Sequence, residues 1–149
     1  VAQVLRRRGR IQVRLNAKER DALLAMLGRM EPHLATVREA TARAYDEPEP
    51  QAEYARWVIP ALERECDADL SVVREALSSG EDTLPLTEAQ ALCWLRALNH
   101  LRLAAGRLLG VEDDQWMEAA GDRERSTYEW GVLMALGYIQ EELIAALES

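Results

Sequence analysis

Thr87-Glu88-Ala89-Gln90 has the form of a capping box, and apolar residues then recur at Leu92, Leu95, Leu98, Leu101, Ala105 and Leu108 before Gly110. In such a box the Thr hydroxyl accepts from the backbone three residues on, and the Gln side chain returns the bond. Leu86 stands where a hydrophobic staple would reach Ala91. The steps of three and four are helical, and Gly110 supplies the C′ residue. The spacing predicts a helix over about 87–109 with one apolar face. A helix of that length must bury that face against other helices, so the chain is expected to form a helical bundle.

The remaining patterns agree. Asn16 and Glu19 form a second capping box, and Leu23, Leu24, Leu27 and Met30 mark the buried face of a helix over about 17–30. Pro32 is expected to kink or end it, because proline lacks an N–H and disfavours helical geometry at Glu31. Leu34, Val37, Ala40 and Ala44 resume helical spacing. Asp46-Glu47-Pro48-Glu49-Pro50 reads as a polar loop, followed by a short helix over about 53–58. Pro60 suits the first turn of a helix over about 60–79. Its stripe is Leu62, Cys66, Leu70, Val73 and Leu77, and Gly80 ends it. Residues 112–118 read as a loop with one helical turn. Ser126 and Glu129 cap a last helix over about 126–147, burying Val132, Leu136, Ile139, Leu143 and Leu147. Gly131 and Gly137 inside it are expected to mark a close approach of helices, since glycine there costs about 1 kcal/mol relative to Ala.

Only the N-terminus departs from helical periodicity. Ile11, Val13 and Leu15 alternate with Gln12 and Arg14, the pattern of a half-buried strand. Arg8-Gly9 can turn, making Ala2–Arg7 a partner strand, and Leu84-Pro85-Leu86 can lie beside the pair as an edge. The fold class expected is therefore mainly α: a helical bundle with a small N-terminal β-hairpin or two-stranded piece. Residues 1–149 form a single helical domain, with 1–15 as a basic strand region.

Charge bounds the function. The 149 residues carry a net charge of −8. Residues 1–20 hold seven basic side chains against Glu19, a net of +6, which leaves −14 on the rest. The acidic whole is a poor match for nucleic acid or an anionic membrane. The simplest reading of the split is a basic N-terminus lying against an acidic body or an acidic neighbouring subunit. No apolar run near membrane length and no signal-peptide core stand out, so a cytoplasmic protein is expected. Cys66 and Cys93 lack metal-ligand or redox spacing and read as buried free thiols.

Motifs for catalysis are missing. His33 and His100 are the only histidines, and neither has a second His or Cys at ligand spacing. The sequence holds no nucleophile elbow, glycine-rich phosphate loop or Glu-x-x-His pair. No cofactor and no metal are expected, and the 26 acidic residues read as a solvated face. The stretch Leu103–Val111 resembles the first helix and turn of a helix-turn-helix. The recognition helix would then fall on Glu112–Glu118, which carries four acids and no base and would repel phosphate.

Two constellations remain as candidate binding residues. Arg96, Asn99 and Arg102 stand three apart and fan over one side of a helix, flanked by Trp94 and His100. They could form an anion or carboxylate site between helices. The more economical reading has them bonded to neighbouring elements of the bundle. Trp116 with Met117, amid acids, could meet a partner or close the bundle as a lid.

The stretches Thr83-Leu84-Pro85-Leu86-Thr87, Trp94-Leu95-Arg96-Ala97-Leu98-Asn99, Leu101-Arg102-Leu103 and Leu109-Gly110-Val111, with Gly106, resemble an uncharacterised actinobacterial family of about this length. The basic strand leading into a capped helix, the Ala44-Tyr45-Asp46 turn and the Tyr128 and Trp130 of the last helix are similar too. His100 departs from the pattern, where an Asp is expected, and residues 57–77 match poorly. Members are often encoded beside the adaptor of the Clp protease, so the resemblance implies a link to regulated proteolysis. The expected function is a non-enzymatic protein-interaction or regulatory domain, homodimeric, with a possible partner in the Clp system. The alternatives are a nucleic-acid-binding regulator that uses the basic N-terminus, and an enzyme or ligand binder that uses the Arg96–Arg102 fan.

Overall fold

Arg8 and Gly9 both hold positive φ, at 53° and 78°. That is the signature of the tight turn whose twist matches a two-stranded ribbon. It joins β1 (Gln3–Arg7) to β2 (Arg10–Arg14), paired antiparallel from Gln3 opposite Arg14 to Arg7 opposite Arg10. A third strand, β3 (Thr83–Leu86), pairs with β2 from Ile11 opposite Leu86 to Arg14 opposite Thr83. The hairpin expected from the sequence is thus part of a three-stranded sheet in the order β1-β2-β3. The computed structural model describes residues 2–41, 48–109 and 128–149.

Backbone bonding fixes the phase of this sheet. The Leu15 N–H donates to the Asp82 carbonyl at 2.8 Å, in register with Val13–Leu84. Hydrogen-bonded and non-bonded pairs alternate in an antiparallel ladder. Leu84 and Leu86 therefore bond to β2, while Thr83 and Pro85 direct their backbone groups to the open side. Pro85 fits here because the N–H it lacks is one β2 does not need.

The described segments hold five helices, three before β3 and two after it: α1 (Ala17–Thr41), α2 (Pro48–Trp57), α3 (Ile59–Ser78), α4 (Glu88–Leu109) and α5 (Tyr128–Glu148). Both described capping boxes form. Thr87 accepts from Gln90 N at 3.1 Å and donates its N–H to Gln90 Oε1 at 2.9 Å. Asn16 and Glu19 exchange the same bonds at 2.8 and 3.0 Å. Gly80, with φ at 79°, follows the last turn of α3. The Ser126 cap, Gly110, the turn at Ala44-Tyr45-Asp46 and residues 112–118 lie outside the described residues.

The core is made where α4 packs against α1, α3 and α5, with Ile11, Val13, Leu84 and Leu86 closing it from the sheet. Four expectations need correction. Pro32 does not end α1, which runs to Thr41. Met30 and Leu34 are buried on either side of it, and that packing outweighs one lost backbone bond. Pro48 opens α2 rather than sitting in a loop, using the first-turn position where its missing N–H costs nothing. The apolar face of α4 is rotated from the leucine stripe. Trp94 is fully buried with Ala91, Ala97, Leu98 and Leu101, while Leu92 is 46% exposed. Alanines give the neighbouring helices room to approach, and the larger leucine is left outside. Gly131 borders open space, and a Cβ on Gly137 would meet Arg102 only at an ordinary 3.9 Å, so neither marks a close approach.

One described helix is long and apolar enough to cross a membrane, Trp130–Glu148 in α5, although no such run stood out in the sequence. In the fold it packs on α4 and β1 and buries Val132, Leu136, Ile139 and Leu143.

Candidate functional site

The Arg96–Asn99–Arg102 fan does not converge. Six residues separate its ends by about 120° around the helix, and each end meets a different neighbour. Arg96 turns to α3, where Nε and Nη2 donate to the two oxygens of Asp69, both at 3.0 Å. Arg102 turns to α5, where Nη1 donates to Gln140 Oε1 at 2.6 Å. Gln140 in turn donates to the Leu95 carbonyl at 3.3 Å. Asn99 is exposed between them. Trp116 lies outside the described residues.

Cys93 is half-buried beside the Arg96–Asp69 pair, and Arg96 Nη2 approaches its Sγ at 3.4 Å. Burial pushes the Cys93 thiol above its ordinary pKa, and the hydrogen bond and charge of Asp69 push it further the same way. The nearby guanidinium opposes this only in part. Such a thiol is a poor nucleophile. Cys66 is fully buried, so only one of the two cysteines has the burial expected of both. No group of three or more metal-ligand side chains gathers among the described residues.

The N-terminal charge is divided by the sheet. Side chains alternate across a strand. Val4, Ile11, Val13, Leu84 and Leu86 face the core, which puts Leu5, Arg7, Arg10, Gln12, Arg14 and Pro85 on the outer face. The register aligns Arg7 with Arg10, and Leu5 with Gln12 and Pro85. Arg7 and Arg10 are exposed, Arg14 is partly buried, and Leu5 is 39% exposed. Two further cations, Arg6 and Arg20, are held by the acidic body. Arg6 pairs with Glu88 and reaches the carbonyls of Ala146 and Leu147 at 3.4 Å, closing the end of α5. Arg20 is buried, pairs with Asp82 and donates to the Leu15 carbonyl at 2.9 Å. What remains outward is a sheet face with an apolar centre at Leu5 and Pro85 and a cationic rim. The charge is visible in the sequence but the face is not, because the face exists only once register is set. The alternation through residues 11–15, carried across the turn at Arg8-Gly9, contained the signal.

Residues 2–147 of this chain match a domain of unknown function, DUF2017. The chain belongs to that family. The DUF2017 match covers the three strands and, among the described residues, the five helices up to the last residue of α5. No curated protein and no solved structure matches this DUF2017 chain.

Proposed function

We propose that this DUF2017 chain is a non-enzymatic protein-interaction domain that docks an acidic protein surface on the outer face of its sheet. One observation carries the reading: the pairing of β1, β2 and β3 gathers Arg7, Arg10 and Arg14 around Leu5 and Pro85 on a single outward face. An apolar centre with a polar rim is the common anatomy of a protein interface, and arginine is enriched among residues that dominate binding. A second copy is the first candidate partner, since the chain beyond residue 20 carries −14. The association implied by the family resemblance makes the Clp protease adaptor the next, in a cytoplasmic setting.

The nucleic-acid reading draws on the same arginines. Against it, the outward sheet positions hold no aromatic side chain on which a base could stack. Arg6 and Arg20 are engaged internally, and the whole molecule is acidic. Titration of the protein with the purified Clp adaptor, with polyglutamate and with duplex DNA separates these cases. Binding to a protein or acidic polypeptide, weakened by salt and lost in Arg7→Glu/Arg10→Glu, supports the reading. Tight DNA binding with a steep salt dependence, and no protein binding, defeats it.

A further inference from the structure

β3 is an edge strand whose open side borders a groove of about 360 Å³ between the strand and α3. Val72 and Ala76 of α3 give its wall an apolar surface, and Glu75 and Glu81 add two exposed carboxylates. No basic side chain lines it among the described residues. The bonding phase of the sheet leaves the Thr83 N–H and C=O and the Pro85 C=O directed away from β2 and toward this side.

We propose that this groove binds an extended segment of a partner protein carrying a lysine or arginine, which adds to β3 as a fourth strand. Strand addition to a sheet edge takes its affinity from main-chain hydrogen bonds and its specificity from pockets for alternate side chains. Thr83 supplies both a donor and an acceptor at one position, which is a complete hydrogen-bonded pair for an incoming residue. Pro85 offers an acceptor and no donor. The incoming strand therefore bonds on both sides at Thr83 and only by donation at Pro85, and that asymmetry favours one register. A missing N–H also blunts the edge against long strand pairing, as edge prolines do. A short segment is thus admitted and a long sheet is disfavoured. Glu75 and Glu81 select the charge of the occupant: a basic side chain is attracted and an acidic one repelled. The volume falls in the range of specific ligand sites. The groove meets the outer sheet face at Pro85, but it takes its occupant through Thr83, Glu75 and Glu81, which the outer-face reading does not use.

The test is display selection of short linear peptides of random sequence on the full chain, followed by direct binding of the recovered peptides. The expected peptides carry Lys or Arg among β-branched residues, and they slow hydrogen exchange at the Thr83 amide. Glu75→Arg/Glu81→Arg should lower their affinity without disturbing the fold, since both side chains are exposed. Thr83→Pro removes the outward N–H, together with an exposed side chain, at the first residue of the strand, where proline is tolerated. It should keep the β2–β3 ladder, shown by unchanged exchange at Leu84 and Leu86, and weaken binding about tenfold through the lost bond. Failure to recover any peptide, peptides bound equally by both variants, or occupation of the groove by a second copy of the chain would each overturn the proposal.

Discussion

Arg96 holds Asp69 across the α3–α4 interface through two parallel hydrogen bonds, each 3.0 Å long. The pair is asymmetric: the Asp69 side chain is 6% exposed and that of Arg96 57%. The guanidinium is therefore partly screened by water, while the carboxylate depends on it. Arg96→Ala should destabilise the domain by about 1–3 kcal/mol, the cost of leaving a buried acceptor unsatisfied. The screening of the exposed partner favours the low end. Arg96→Lys should recover only part of this, because a single ammonium cannot replace the planar fork. Urea unfolding measures both; an unchanged midpoint for Arg96→Ala would mean that Asp69 is satisfied without it.

The same carboxylate adds to the effect of burial on Cys93. A thiol held above its ordinary pKa by burial and by Asp69 stays protonated at neutral pH and should react slowly with a maleimide or an aromatic disulfide. Its folded pKa exceeds the unfolded value. The associated stabilisation is therefore complete below the ordinary thiol pKa and is lost as pH rises toward the raised one. Asp69→Asn should speed labelling of Cys93 and leave Cys66 unreactive. Rapid labelling of both thiols in the native protein would contradict the packing of α3 on α4.

Arg8 occupies a left-handed position that suits asparagine or glycine better. Arg8→Asn should stabilise the domain by about 0.5–1 kcal/mol, a gain in the range found when a turn residue is matched to its backbone. Gly9→Ala should destabilise it through conformation alone, since a Cβ there meets nothing within 4 Å. Thermal unfolding of the two variants should shift in opposite directions.

The rotation of α4 separates two leucines of one sequence pattern. Leu98→Ala empties a core site and should cost about 2–5 kcal/mol. Leu92→Ala removes an exposed side chain and should change stability by less than about 0.5 kcal/mol. Equal losses would restore the simple leucine stripe.

Much of the architecture was legible because it is locally encoded. The alternation at Ile11, Val13 and Leu15 marked a strand, and reciprocal side-chain bonds at Asn16 and Thr87 marked two helix starts. Leu84-Pro85-Leu86 was readable as an edge because proline is confined to such places. What escaped was decided by tertiary packing. Helix α1 continues through Pro32 because residues on both sides of it are buried against the core. Trp94 enters the core in preference to Leu92 because of what α4 meets. The partners of the candidate residues escaped for the same reason. Arg96 is 27 residues from Asp69 and Arg102 is 38 from Gln140, and no local spacing announces either partner. Arg7, Arg10 and Arg14 become one face only through strand register.

The central claim is that this face serves protein association, and sedimentation velocity tests it most directly. The wild-type chain and Arg7→Glu/Arg10→Glu are compared at low and high salt, with duplex DNA as a competing ligand. The expected result is a wild-type dimer at low salt that weakens as salt screens the charges, a monomeric variant, and no tight DNA complex. A wild-type monomer at both salt levels, together with tight duplex DNA binding that the same variant loses, would contradict it.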